Sequence, residues 1–478
     1  MLDFACSIDG APRTDDWLEV TSPYDNSVIG RIEKVEAQGV EIALERAHSL
    51  FRDRSQWLDP PQRIDIIRKL ADLMEANREQ LIQVALAEGG KPYRDTLVEL
   101  ERAIDGVRNC AECIRSDSGR EIPMGMTPSS LNRLAMTSRE PIGVVLAFSA
   151  FNHPLNLIVH QVGPAVAAGC PVIVKPAQDT PLSAFLLTKL LHEAGLPRQW
   201  CQCLVPASRE LSSSMASDAR LGFFSFIGSG DVGWMLRSNL APGVRCALEH
   251  GGVAPLIVAD DADLDLAVPG ILKGGFYHAG QVCVSVQRIY VCRGNTQELL
   301  QRLKQGAEQL VCGDPADPAT EVGPLIRARE TDRIHDWVTE AVGQGAELIC
   351  GGEPISESLY RPTVLLNPPL HAKVSELEVF GPVVCVYEVE DINTAIAWAN
   401  SLPAAFQGAV YTDNVDTAMK VYSELDAAAV MVNDHTAFRV DWMPFAGLRE
   451  SGLGVGGIPY TYEEMQIDKM LVIQSAHI

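Results

Sequence analysis

The chain predicts an α/β fold built on two parallel sheets, each covered by helices on both faces. Three observations carry that reading. Short apolar runs alternate with helical stretches between residues 143 and 250, the pattern of strands buried on both sides. The alternation resumes from 254 to about 445 as a second α/β unit. And 478 residues exceed what one ordinary core organises, so two or three domains are expected.

In chain order, residues 41–117 read as helical, with apolar side chains at helical spacing in Ile64, Ile67, Leu70, Leu73 and again in Leu97, Leu100, Ile104, Val107. Residues 118–140 change character through Gly and Pro and read as an extended ribbon leaving this unit. Buried strands follow at 143–148 and 171–175, with helices from near Pro154 and over 181–194. Strands near 201–205, 222–227 and 244–249 complete the first sheet, and strands at 286–292, 362–366, 382–388 and 429–432 build the second. The apolar strand at 465–474 has little core of its own, so it pairs with the 118–140 ribbon or with another subunit. No internal repeat or low-complexity segment interrupts the chain.

A net charge of −23 argues against nucleic acid and against an anionic membrane surface as partners. No 18-residue apolar run and no charged-then-apolar leader is present, and Met1-Leu2-Asp3-Phe4 reads as an unprocessed cytoplasmic start. Twelve cysteines are scattered without a disulfide framework, which fits reduced, mostly buried thiols. Cys110-x-x-Cys113 is the only close pair, lies in a helical stretch and has no second pair nearby, so no metal is expected.

The chemistry concentrates in three segments. Cys283 closes Gly280-Gln281-Val282-Cys283, Glu249 sits in Leu248-Glu249-His250-Gly251-Gly252, and Asn152 lies in Phe151-Asn152-His153-Pro154. A thiol, a carboxylate and an amide supply what aldehyde oxidation through a covalent intermediate needs: a nucleophile, an activator of water and an oxyanion donor. A lone cysteine is more often a buried structural thiol, and a lone glutamate a surface carboxylate; the three segments together favour the chemical reading. Gly228-Ser229-Gly230-Asp231-Val232-Gly233 matches G-x-G-x-x-G after a strand, where helix amides suit a pyrophosphate. A tight turn alone gives the same string, and the acid that would complete the dinucleotide fingerprint is Glu249, already assigned elsewhere. Lys175 ends a strand at the edge where open α/β sheets bind ligands; it donates to ribose hydroxyls or is a solvated strand-end lysine.

With these motifs in place the chain resembles the aldehyde dehydrogenase superfamily over nearly its full length. Further matching segments are Lys175-Pro176-Ala177, Phe226-Ile227-Gly228-Ser229, Glu378-Val379-Phe380-Gly381-Pro382 and Pro444-Phe445-Ala446-Gly447. The resemblance implies two Rossmann-like parallel-sheet domains plus a small β oligomerisation ribbon: residues 1–117 and 141–250 for the cofactor, 251–445 for catalysis, and 118–140 with 446–478 for bridging between subunits. It implies NAD or NADP as cofactor and a homodimer or homotetramer. Cys283 becomes the nucleophile, Asn152 with the Cys283 N–H the oxyanion hole, and Glu249 the activator of the hydrolytic water, which favours hydrolysis over transfer to coenzyme A. Lys175, Gly228 and Ser229 hold the adenosine and pyrophosphate portions, and Glu378 and Phe380 the nicotinamide ribose. Gln178 stands where many NAD-preferring relatives carry Glu; without that carboxylate the 2′-phosphate of NADP is not repelled. His250 in place of Leu and Ala446 in place of Gly have no account at this level.

For the substrate, Arg102 and Arg439 fall on segments that line the tunnel in this family, with His153 and His160 as possible assistants. Two guanidinium groups there suit a carboxylate, phosphonate or sulfonate tail. The branch resembled holds moss-type succinic semialdehyde, lactaldehyde and phosphonoacetaldehyde dehydrogenases, and Val282 before the nucleophile favours the succinic semialdehyde type. The alternatives are phosphonoacetaldehyde, or an uncharged aldehyde such as lactaldehyde with both arginines structural, either one in a salt bridge with a carboxylate such as Glu101 or Asp441. A non-catalytic binding protein on the same scaffold has no reason to keep Cys283 and Glu249.

Overall fold

A computed structural model describes all 478 residues. The first sheet has six strands in the order Gly452–Leu453, Arg245–Glu249, Leu221–Ile227, Val144–Phe148, Val172–Lys175, Cys201–Cys203, parallel except for the first. The chain runs outward from Val144–Phe148 on one side and then returns to its other side, so the strand order reverses at that strand. A crevice opens at such a switch point, outside the carboxyl ends of the strands. Ser149 to Asn152 and Gly228 to Ser229 lie there, directly after two of those ends.

Helices α1 (Ala37–Arg52), α2 (Pro60–Ala76), α3 (Arg78–Gly89), α4 (Tyr93–Ser116), α5 (Asn156–Ala168) and α6 (Leu182–Glu193) surround this sheet. The 51-residue core cluster joins α2 and α4 to α5 and α6 around Leu70, Leu100, Ile104 and Ile158. Short α7 (Arg209–Ala216) and α8 (Gly230–Ser238) follow.

The second sheet has seven strands, with Val286–Cys292 between Val383–Val389 and Ala254–Val258. Only the edge strand Glu347–Cys350 is antiparallel. Its central strands Ala254–Val258 and Gln407–Tyr411 escape the sequence reading. Both are as short and as buried as Val144–Phe148, but Pro255 and Gly408 interrupt their apolar runs and weaken the strand signal. A small sheet of Leu2–Phe4, Val28–Glu33 and Trp17–Thr21 is also missed, because its strands are short and broken by charged residues.

The terminal strand Gln466–Gln474 pairs antiparallel with Arg133–Pro141, from Gln466↔Pro141 to Gln474↔Arg133, as the apolar pattern suggested. The segment before it does more than bridge. Gly452–Leu453 adds to the edge of the first sheet, and the helix Ile458–Glu464 packs on α4 and α5. No helix is long and apolar enough to cross a membrane.

Glu99 in α4 sets where α5 begins. Its carboxylate accepts from the backbone N–H groups of Leu155 (2.9 Å) and Asn156 (3.0 Å) and pairs with Lys91 Nζ at 2.5 Å, all buried. Unpaired amides at a helix start attract a carboxylate, and here it comes from a neighbouring helix. Replacing Glu99 by Ala would leave Lys91 a buried charge without partner, at a cost of about 3–5 kcal/mol. Glu99→Ala is expected to lower the thermal midpoint markedly, read by circular dichroism. A wild-type midpoint would show that the pair contributes nothing net.

Candidate active site

Cys283 follows a helical turn, Tyr277–Gly280, in which His278 (φ 49°), Ala279 (φ 53°) and Gly280 (φ 70°) adopt left-handed backbone. Gly280 is obligatory: a Cβ there would lie 2.1 Å from the Gly381 carbonyl oxygen. Gln281 pins the loop. Its buried amide donates to His278 O and Pro324 O and accepts from the Ile326 N–H at 2.9 Å. Its own carbonyl accepts from Asn152 Nδ2 at 2.9 Å. One amide hydrogen of Asn152 therefore ties it to the Cys283 loop, and the second is left to donate to another acceptor.

Val282, Val284, Phe406 and Phe445 form a small apolar cluster against Cys283. Burial pushes its thiol up to about 12; the Arg439 cation pulls the other way, while Glu378 and Glu249 add to the rise. Glu249 ends its strand with its carboxyl raised by burial; the Arg439 cation pulls it down, and Glu464 adds to the rise. Gly456 makes room for it, since a Cβ there would stand 2.4 Å from Oε1. A nucleophile, a raised carboxyl and one cation thus share a water-poor space, which suits a general base.

Asp441 anchors the far wall. It accepts from Arg102 Nε (3.1 Å) and Nη2 (2.7 Å), from Asn156 Nδ2 (3.1 Å) and from His160 at 2.6 Å, and its pKa is held well below the usual range despite burial. Arg439 Nη2 lies 3.3 Å from His160 Nδ1. Because a guanidinium only donates, Nδ1 accepts and Nε2–H donates to Asp441. Burial holds His160 near 4, so this ring is neutral with both nitrogens occupied. Arg439 stacks on Phe445, 3.5 Å from the ring centroid, and its buried Nε has no partner.

This alters the expected pair of tail-binding arginines. Arg102 has two of its donors committed to Asp441, and His160 has none to spare. His153 turns to the Tyr277 hydroxyl at 3.2 Å, with its pKa pushed down by burial. Of these four side chains, only Arg439 has a buried nitrogen donor, Nε, without a partner.

On the other side of the crevice Lys175 Nζ bonds the Pro176 carbonyl at 3.0 Å and lies 5.0 Å from the Phe148 ring; burial lowers it to about 8. Ser229 stands at the start of α8 without using its hydroxyl as a cap. Gln178 is exposed on the loop after Lys175, beside Asp179, which is bound to Arg327. Glu378 presses on Gly251, where a Cβ would meet Oε1 at 1.7 Å. Its Oε1 is buried without a donor and its pKa is pushed up to about 8. Phe380, at φ 47°, packs edge-on against Phe151 with centroids 5.7 Å apart. An orphaned carboxylate oxygen, a desolvated amine and a free serine hydroxyl at a helix start fit the hydroxyls and phosphates of a dinucleotide.

Glu99, Gln281 and Tyr277 are absent from the residues expected at the site, and Asp441 figures there only as an ion-pair partner. Tyr277 and Gln281 flank the nucleophile motif and were open to detection there. Glu99 and Asp441 reach their partners across 56 to 339 residues, and no local pattern announces that.

The thiol environment has a direct chemical readout. Below pH 12 the rate of Cys283 alkylation by iodoacetamide should rise about tenfold per pH unit as thiolate forms. Arg439→Ala removes the cation that favours thiolate, so alkylation should slow about threefold or more at every pH. Unchanged rates would place Arg439 outside the field of the thiol.

Residues 11–471 match the aldehyde dehydrogenase family. The 3-sulfolactaldehyde dehydrogenase of Priestia aryabhattai is 36% identical over 461 residues, 96% of this chain and 95% of that protein. The lactaldehyde dehydrogenase of Methanococcus vannielii is 32% identical over 472 residues, 98% and 99% of the two chains. The crystal structure of aldehyde dehydrogenase 21 from Physcomitrella patens, in complex with the reaction product succinate, superposes with a TM-score of 0.95 at 32% identity, covering 99% of each chain. The chain belongs to the aldehyde dehydrogenase family and is an NAD(P)-dependent enzyme.

Proposed function

We propose that the protein oxidises a short aldehyde with an anionic tail, of the succinic semialdehyde type, to the carboxylic acid without acyl transfer to coenzyme A. The observation that carries this reading is Arg439: a buried guanidinium with an unpaired Nε, within the field of Cys283 and Glu249. The buried group of Arg102, Asp441, neutral His160 and Arg439 holds two cations and one carboxylate. A carboxylate or sulfonate on the substrate would supply the missing anion. The sulfolactaldehyde, lactaldehyde and succinate-bound relatives include aldehydes of both kinds, charged and uncharged. Arg102's commitment to Asp441 favours the second reading, an uncharged aldehyde such as lactaldehyde, with phosphonoacetaldehyde as a bulkier anionic case.

In the proposed mechanism Cys283 Sγ adds to the carbonyl as its proton passes to solvent water. Asn152 Nδ2 and the Cys283 N–H then hold the oxyanion in place. Glu378, Lys175 and Ser229 would hold the dinucleotide, Phe380 would help position its nicotinamide ribose, and neutral Gln178 would not repel a 2′-phosphate. NAD or NADP, when bound, supplies the hydride acceptor, leaving a thioester on Cys283. Glu249 then takes a proton from water, which attacks the thioester and frees the thiol. Burial keeps Glu249 basic enough for that task. The strand Gln466–Gln474 exposes Met470, Leu471, Val472 and Ile473, which supports self-association of this ribbon in a homodimer or homotetramer.

Two measurements test the reading. Initial NAD(P)H production should favour succinic semialdehyde over butanal in kcat/KM, and Arg439→Ala should raise KM about tenfold or more for the semialdehyde alone. Equal changes for both aldehydes would return Arg439 to a structural role and leave the uncharged reading. Glu249→Gln should give one equivalent of NAD(P)H and then stall, because acylation survives and hydrolysis does not. Steady turnover by that variant would remove Glu249 from the mechanism.

A further inference from the structure

His250, the residue directly after the proposed base, occupies an unusual place. It is 3% exposed, and its ring fills the space beneath the turn that opens α8. Nδ1 lies 2.9 Å from the Gly228 carbonyl. A carbonyl only accepts, so Nδ1–H donates and Nε2 is left as a lone-pair acceptor, buried and without partner. Phe226 and Trp234 enclose the ring edge-on, each 5.7 Å away between centroids. Gly233 completes the enclosure: a Cβ there would stand 2.1 Å from His250 Cε1 and 2.6 Å from Nε2. The last glycine of the G-x-G-x-x-G string is thus required by this ring.

The contact is reciprocal. Gly228 N–H donates to the Glu249 carbonyl at 3.1 Å, while His250 N–H donates to Ser451 O at 3.1 Å. Both backbone polar groups of Gly228 are therefore held by the Glu249–His250 pair. A leucine of similar bulk would fill the space but leave the Gly228 carbonyl without its donor.

We propose that His250 is a positioning residue that holds the Gly228–Gly233 turn, and with it the dinucleotide, in register with the Glu249 carboxylate. The proposal rests on the reading of that turn as part of the cofactor site. Neither His250 nor Gly233 touches the reacting atoms; they act through Gly228.

The test is cofactor binding by the full-length protein without aldehyde. NADH and NADPH are titrated separately by calorimetry and by Trp234 fluorescence. His250→Leu should weaken both about tenfold, the effect of one lost buried hydrogen bond. KM for the cofactor should rise while KM for the aldehyde and the Cys283 alkylation rate stay at wild-type values. His250→Asn, which restores an amide donor, should recover part of the loss. Gly233→Ala should abolish tight binding, and adding His250→Ser should restore some of it by removing the clash. Wild-type affinity in His250→Leu, or no recovery in the Gly233→Ala/His250→Ser pair, overturns the proposal; the pair decides alone if His250→Leu does not fold. Lys175→Ala separates the two readings. If it weakens binding and His250→Leu does not, only the role of His250 fails. If neither matters, the assignment of the crevice to the cofactor fails with it.

Discussion

Asp441 is the constraint on which the active site depends. A carboxylate 2% exposed persists as an anion only where donors surround it, and four reach it here, from Arg102, Asn156 and His160. Those donors sit on α4 and α5, while Asp441 lies in the chain returning from the second sheet. One buried charge therefore fixes three segments at once. Through His160 it also sets Arg439, whose neighbouring ring nitrogen is free to accept only because its other nitrogen donates to Asp441. Glu99 does the equivalent work at the start of α5, so that Asn152 arrives opposite the Gln281 carbonyl.

Glycines supply the complementary constraint, by absence of bulk. Gly251 admits the Glu378 carboxylate, Gly456 admits Glu249 and Gly233 admits His250. Each pairing brings a functional or supporting side chain within contact of backbone. The two carboxyls and the thiol are all shifted upward by burial; Arg439 is the cation that eases Cys283 and Glu249, and Arg333 the one that eases Glu378.

The parts legible in the sequence were those with local signals. The strands at 143–148, 171–175 and 286–292 showed as apolar runs between helices, and Cys283, Glu249 and Asn152 each sit in a segment marked by Gly or Pro. The apolar terminal strand called for a partner, either the 118–140 ribbon or another subunit, and within the chain it pairs with the ribbon. Ala254–Val258 is as short and buried as Val144–Phe148, yet Pro255 breaks its apolar run and hides the strand. The tail-binding wall was legible as residue types and illegible as connections. Arg102 looks as free as Arg439 until Asp441, 339 residues away, is found in its fork.

The isolation of Arg439 ties substrate charge to nucleophile chemistry. In the free site it is the cation that favours thiolate at Cys283, against burial and two carboxyls. An anionic tail pairing with Nε would reduce that field at the moment the aldehyde arrives. Attack must then draw its driving force from the oxyanion donors, Asn152 and the Cys283 N–H, more than from a preformed thiolate. On the proposed mechanism, such a site would keep its thiol protonated until a carbonyl meets the oxyanion donors. The same burial that raises the thiol also raises Glu249, so resting nucleophile and resting base are restrained by one cause, the exclusion of water around them.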